Sequence, residues 1–314
     1  MAAVAQTTNQ FLGDSAALEF GAATAQPSIG SKRDKLVFAS YNIRYAVGRY
    51  LISSGVLRKV GINPPLQRSN AVARNIAAAA VAFSEGELLP RADILALQEA
   101  DNQTARSGGR HVARELAARL NMDWIHAPAG IPRGVAPKKR QWWLDFEEQI
   151  ALNDPGDTGI ALLSRLSLKD VTRIDLPWHE CAWRPRVALA ATVTMGDSDI
   201  RVVNAHIDPH PAAAGQLEQL EIMMDQAASE LPTVVMGDFN TLSKDKCVQT
   251  RRLLEFRGYT TPLPTGTATW RGALLRFHAD WIFVRGVKIK RWGVARPLNV
   301  SDHWPIWAEI GVGG

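Results

Sequence analysis

Between Leu36 and Ile310, short apolar runs of strand length are joined by two different kinds of connection, and this alternation restricts the fold more than any other property of the chain. Strand-like runs are read at residues 36–41, 93–98, 159–164, 186–194, 200–205, 233–236, 280–284 and 306–310. Some are separated by segments with one apolar face at helical spacing. Val72, Ile76, Ala80 and Phe83 form one such face; Val112, Leu116 and Leu120 form a second; Leu217, Leu220, Met224, Ala227 and Leu231 form a third. Residues 248–256 read as a further helix. In contrast, Gly196-Asp197-Ser198-Asp199 reads as a hairpin turn between two strands. Helical crossovers give parallel neighbours and hairpins give antiparallel ones, so the chain must build mixed sheets with helices on their faces.

Residues 1–35 are rich in Ala, Thr, Gln and Ser without a sustained period and read as a flexible leader, leaving 36–314 as a single domain. The formal charge of +5 and a sequence pI near 9.4 favour anionic partners without choosing among them. Cys181 and Cys247 are too few for a disulfide framework and read as reduced thiols. No run of about 18 apolar residues is present, and the first residues lack the basic start and apolar core of a signal peptide. The expected location is cytoplasmic. A serine-hydrolase elbow, a phosphate loop ending in Gly-Lys-Ser/Thr and a His-Glu-x-x-His motif are all missing from the sequence.

Several of the strands end in polar side chains. Asn42 ends Ser40-Tyr41-Asn42, Glu99 follows Leu95-Ala96-Leu97-Gln98, and Asp238 and Asn240 lie in Gly237-Asp238-Phe239-Asn240-Thr241. Asp280 opens the strand at 280–284, and Ser301-Asp302-His303 precedes the last strand. His206 and Asp208 follow the strand at 200–205. A strand exit is rigid on one side and open to water on the other, which suits groups that must hold a ligand. Asp238 and Asn240 are two residues apart, so an extended backbone would send both side chains to one side, as a clamp for water.

Taken together and in this order, these pieces resemble the endonuclease/exonuclease/phosphatase superfamily over roughly Leu36 to Ile310. The resemblance implies a four-layer αββα sandwich of two mixed sheets packed face to face, and metal-dependent hydrolysis of phosphoric esters. It implies that Glu99 and Asp302, with Asn42, hold Mg2+ or Mn2+, that Asp238 activates water and Asn240 positions it. By the same resemblance His303, charged by Asp280, contacts the phosphoryl group, His206 faces the leaving side, and Arg186 binds phosphate, a role Arg184 could also fill. Oxygen-only donors suit these small hard cations. The chain departs from the family in carrying Ile160 in Gly159-Ile160-Ala161 where members often have Asn. The stretch Ala100–Gly109 looks like a bacterial branch of the family.

The substrate expected is therefore a phosphoric ester, first a phosphodiester. The alternatives are a DNA or RNA nuclease of the same fold, then a phosphomonoesterase, then a silent binding module. Lys35 to Ser84 contains no acidic residue but seven basic ones, including Arg58 and Lys59, and 132–143 combines four basic residues with Trp142 and Trp143. Such mixtures suit single-stranded nucleic acid or a lipid surface, and leave both open as partners. His206, Asp208 and His210 could form a second metal site, against which Pro209 and Pro211 argue. His111, His126 and His179 have no partner legible in the sequence and read as surface or core histidines.

Overall fold

The period-two alternation within the apolar runs decides how each strand is used. In β2 (Lys35–Asn42), Leu36 and Phe38 point to one side and Ala39 and Tyr41 to the other; in β3 (Ile94–Gln98), Ile94 and Ala96 oppose Leu95 and Leu97. Both faces are buried, so both sides of these strands must be covered. The computed structural model of the protein describes residues 17–24, 34–48, 65–84, 86–131, 150–151, 153–179, 184–272 and 274–311. The basic stretch at 49–64, with Arg58 and Lys59, lies outside the described residues, as do Trp142, Trp143 and Cys181.

The remaining strands are β1 (Glu19–Gly21), β4 (Asp123–Pro128), β5 (Gly159–Ser164), β6 (Lys169–Asp175), β7 (Val187–Met195), β8 (Ser198–His206), β9 (Thr233–Asp238), β10 (Trp270–Arg271), β11 (Arg276–Phe277), β12 (Asp280–Arg285), β13 (Lys288–Val294) and β14 (Ile306–Gly311). They form a seven-stranded sheet in the order β1-β4-β5-β3-β2-β14-β13, a five-stranded sheet in the order β12-β9-β8-β7-β6, and a small β10-β11 pair. Both large sheets are mixed: β2 runs parallel to β3 and β8 parallel to β9, while the other pairings are antiparallel.

Three apolar layers follow. Leu36, Phe38, Ile94 and Leu162 meet Leu189, Val202, Val234 and Met236 between the sheets. Helices α1 (Pro65–Ser84) and α2 (Val112–Leu120) cover the outer face of the larger sheet through Val72, Ile76 and Leu116. Helices α3 (Ala213–Gln226) and α4 (Lys244–Phe256) cover the smaller one through Leu220, Met224 and Leu254 against Ala188, Val203 and Val235. Each fully buried Leu, Ile, Val or Phe contributes roughly 1.5–3 kcal/mol, and a one-residue register slip would exchange the two layers, so the register is strongly specified. This is the expected four-layer sandwich. No helix of the described residues is long and apolar enough to cross a membrane.

The sequence reading needs correction at its margins. Residues 1–35 were expected to be a flexible leader, yet Glu19–Gly21 pairs with β4 as an edge strand. The strands β1, β4, β6, β10, β11 and β13 are additional to those read from the sequence. β6 and β13 are sheet edges with one charged face, as in Lys288-Ile289-Lys290-Arg291, which suppresses the apolar signal while discouraging edge-to-edge association.

Candidate active site

Strand register within each sheet, and the facing of the two sheets, bring the strand-end residues together. Asn42 is the partner of Gln98 across β2 and β3; His206 is the partner of Asp238 across β8 and β9; Asp238 is also the partner of Asp280 across β9 and β12. All of these lie at one end of the two sheets. Just beneath them the sheets are tied by a fully buried amide pair. Gln98 Nε2 donates to Asn204 Oδ1 (2.7 Å), and Asn204 Nδ2 donates to the carbonyls of Leu97 and Ala161, each at 2.9 Å. Gly237 is required for the approach of β9 to β8, because a Cβ there would stand 2.0 Å from the Ala205 carbonyl oxygen.

Asp238 is the hub. Its Oδ2 accepts from Asn42 Nδ2 at 2.8 Å and lies 3.5 Å from His206 Nε2 and 3.7 Å from His303 Nε2. Its Oδ1 accepts from the Asn240 backbone N–H at 2.9 Å. The extended spacing anticipated for Asp238 and Asn240 is not found, since Asn240 has φ 51° and turns its Nδ2 onto the Ile207 carbonyl at 2.8 Å. Asn tolerates this left-handed conformation better than most residues.

His303 Nδ1 donates to Asp280 Oδ2 at 2.9 Å, and Asp280 is held in turn by its backbone N–H on Thr269 Oγ1. Burial disfavours the imidazolium, but Asp280 and Asp238 outweigh it and raise the His303 pKa to about 10. Asp238 moves the other way from an ordinary carboxylate: burial and the nearby Asp280 charge raise it to about 7, although His303 and Asn42 pull it down. His206 is held well below its usual range by burial and by Arg186, whose Nη1 donates to its ring at 2.9 Å.

Glu99 and Asp302 flank this hub. Glu99 sits at φ 55°, a conformation costing of order 1 kcal/mol or more for a residue other than Gly. It is locked there by the Tyr45 N–H on its carbonyl (2.9 Å) and by the next residue's N–H on Gly159 O (2.9 Å). Its Oε1 lies 2.6 Å from Arg184 Nη2. Burial raises its pKa, but Arg184, Arg186 and Arg106 outweigh that and keep it below the ordinary value. Asp302 Oδ2 accepts from Trp270 Nε1 (3.1 Å) and lies 3.6 Å from Arg44 Nε. The Arg44 N–H donates to Asn42 Oδ1 at 3.0 Å, so a single turn after β2 touches Asn42, Glu99 and Asp302.

These donors fit a small hard cation: two carboxylates, Glu99 held ionised and Asp302 partly open to water, with the Asn42 carboxamide nearby. His206, Asp208 and His210 do not form a joint set. His210 Nδ1 instead pairs with Asp208 Oδ1 at 2.6 Å, while His206 faces Arg186 and Asp238. Ile160 lies in the core between the sheets. Arg44, Thr269 and Tyr45 also act on the site, Arg44 through its N–H and its guanidinium, Thr269 through its hydroxyl and Tyr45 through its N–H, and none carries a local motif. The sequence reading named Arg184 as an alternative to Arg186, and the Glu99 contact gives that arginine a partner of its own.

Comparison with known proteins identifies the family and the fold. The model of the Endonuclease/Exonuclease/phosphatase family matches residues 39–303, and the chain belongs to that family, whose members are hydrolytic phosphoesterases that are generally dependent on a divalent metal. A search of curated proteins finds no match. Among solved structures, an endonuclease/exonuclease/phosphatase from Beutenbergia cavernae has 18% identity and TM-score 0.61, covering 90% of this chain and 72% of its own. The Bacteroides thetaiotaomicron mannosyl-6-phosphatase has 18% identity and TM-score 0.54, covering 88% and 99%. ANGEL2, a 2',3'-cyclic phosphatase in complex with adenosine-2',3'-vanadate, has 15% identity and TM-score 0.53, covering 94% and 98%. At these identities the likeness is one of fold.

Proposed function

We propose that the protein is a metal-dependent phosphodiesterase that displaces the leaving oxygen by in-line attack of an activated water. The observation that carries this reading is the Asp238 hub, a buried carboxylate with a pKa near 7 contacted by Asn42, His206 and an imidazolium-favouring His303. A base is most effective when its pKa lies near the working pH. In the proposed reaction Asp238 accepts the proton of water as the new O–P bond forms, and Asn240 holds that water. The imidazolium of His303, oriented by Asp280, donates to a non-bridging phosphoryl oxygen. Arg186 and the neutral His206 face the side on which the bridging P–O bond breaks. A divalent cation held by Glu99 and Asp302, with Asn42, would neutralise the charge that develops on the phosphoryl group.

The fold neighbours include a protein named as a mannosyl-6-phosphatase and another named as a 2',3'-cyclic phosphatase, so the fold hosts more than one ester class. The decisive experiment is a panel of bis(p-nitrophenyl) phosphate, p-nitrophenyl phosphate, plasmid DNA and sphingomyelin with Mg2+ or Mn2+. Turnover of the small diester, abolished by EDTA and restored by metal, is expected. Hydrolysis of the monoester alone would overturn the diester assignment, and full turnover after dialysis against EDTA would overturn metal dependence. Cleavage of DNA with affinity falling steeply with salt would favour the nuclease reading.

A further inference from the structure

The described residues hold a second convergence of imidazole and carboxylate, which touches the carbonyl of Ala100, the residue after Glu99. Glu19 of the edge strand β1, His111 at the start of α2 and His126 of β4 bring one carboxylate oxygen and two ring nitrogens within 4.8 Å of one another. Glu19 Oε2 lies 2.7 Å from His126 Nδ1 and 3.1 Å from His111 Nε2. The two histidines are buried, whereas the Glu19 side chain is 35% exposed and opens the cluster to solvent.

The protons show what the cluster needs. His126 Nε2 is 2.8 Å from the Ala100 carbonyl, which can only accept, so that nitrogen carries a hydrogen. A neutral His126 therefore presents its Nδ1 lone pair to a carboxylate oxygen 2.7 Å away. Two acceptors so close require a positive particle between them, either a proton or a metal ion. Three further features match a metal centre. A ligand imidazole commonly donates its other N–H to a backbone carbonyl, as His126 does to Ala100. The other carboxylate oxygen, Glu19 Oε1, is held by Asn102 Nδ2 at 2.7 Å. Trp124 stands edge-on to the His111 ring at 4.9 Å and screens one side of it.

We propose that Glu19, His111 and His126 form a second cation site, for a borderline divalent ion such as Zn2+. Two imidazoles and one carboxylate are a donor set typical of zinc, with water completing the coordination on the open side of Glu19. This set is unlike the oxygen-only donors of Glu99, Asp302 and Asn42. Binding at His111 Nε2 moves that ring's hydrogen to Nδ1, which gives up the contact with the Arg114 N–H. At 3.3 Å this is the longest hydrogen bond of the group. The bound ion would staple β1 to β4 and α2, and would fix the Ala100 carbonyl next to Glu99.

The test uses full-length protein stripped with a chelator and titrated with Zn2+ against a chromophoric competitor, and separately with Co2+. About one equivalent of Zn2+ is expected to bind to wild type, weakened more than about tenfold in Glu19→Gln and in His111→Gln. It should be retained in Glu99→Gln/Asp302→Asn, and circular dichroism would verify that each variant is folded. If the variants prove unfolded, Co2+ on wild type remains decisive, since ligation by imidazole gives a visible four- or five-coordinate spectrum and shifted imidazole proton resonances. Equal zinc affinity in wild type and folded Glu19→Gln, or a Co2+ spectrum without nitrogen ligands, would overturn the proposal and leave a proton as the bridging particle.

Discussion

Two clusters of imidazole and carboxylate among the described residues have inverted stoichiometry. Around His303, two carboxylates share one imidazole; around Glu19, two imidazoles share one carboxylate. The group in the minority keeps its charge and one member of the majority is pushed towards neutrality. His303 is raised to about 10 and Asp238 to about 7. In the other cluster, burial opposes ionisation of Glu19, but hydrogen bonds from His111 and His126 outweigh it and lower Glu19 to about 2. Burial there also lowers His111. The same residue types thus leave a carboxylate titrating near neutral pH in one place and a carboxylate held ionised between two imidazoles in the other. Burial pushes Asp238 and His111 towards neutrality, and the like-charged neighbour of each, Asp280 or His126, adds to it.

The sharpest way to break this contrast is to remove the poised base. Asp238→Ala is expected to lower kcat by about two to four decades, the range for a general base, while the metal titration of activity stays nearly unchanged. Single-turnover kinetics over a metal series would verify both halves, and a shifted metal curve with intact kcat would reverse the roles. Next in size, Glu99→Ala is expected to raise the metal concentration for half activity by more than about tenfold, because it removes a proposed ligand, and the supporting contacts of a ligand alone are worth that much. Identical metal curves for the two variants would end the division of labour proposed for them.

The pH profile sharpens the comparison further. Below a pKa near 7, Asp238 is protonated and cannot accept the proton of water. Accordingly kcat/KM is expected to rise about tenfold per pH unit up to that value, level off, and fall only as His303 deprotonates towards 10. Asp280→Asn should bring the upper limb down, since it removes the leading charge that keeps His303 protonated. A profile with no limb between pH 5 and 8 would remove Asp238 from the role of base.

The smallest effect belongs to the Glu19 cluster. Its folded pKa lies below the ordinary carboxylate value, so its contribution is full above pH 4.5 and is lost as pH falls through about 2. A lowered His111 pKa acts in the same direction, because neutral His111 is favoured by the fold and acid must charge it. Glu19→Gln is expected to cost only about 1 kcal/mol at neutral pH, a melting shift of about 2 °C, since the carboxylate is partly exposed. That deficit should shrink as pH falls towards and through about 2. Hydrogen exchange at 19–21 and 123–128 would read the loosening of β1 directly, and unchanged exchange on acidification would count against that contribution.

Much of the molecule was legible from the chain. Leu36–Tyr41, Asp93–Gln98 and Thr233–Met236 gave their strands away because a two-sided buried strand must be apolar on both faces. Their polar final residues could be read as site candidates because a strand exit is where side chains leave the core. The strands at β6 and β13 were hidden by the charges that protect a sheet edge, and β1 by its length of three residues. Within the site, register pairs His206 and Asp280 with Asp238, while Asn42 and His303 reach that group through side-chain contacts. The left-handed backbone at Glu99 and Asn240 was invisible, since neither residue type demands it.

By itself the sequence determined the layer plan and the kinds of group at each strand end, because periodicity and motif are local properties of the chain. Only the tertiary structure decided which charges face one another. It put Arg184 rather than Arg186 on Glu99, turned the Asn240 amide onto Ile207, and gathered Glu19, His111 and His126 from segments as far as 107 residues apart. The physical reason is that a pKa or a ligand set depends on distances across the fold, and the chain joining those residues carries no record of such distances until the sheets have closed.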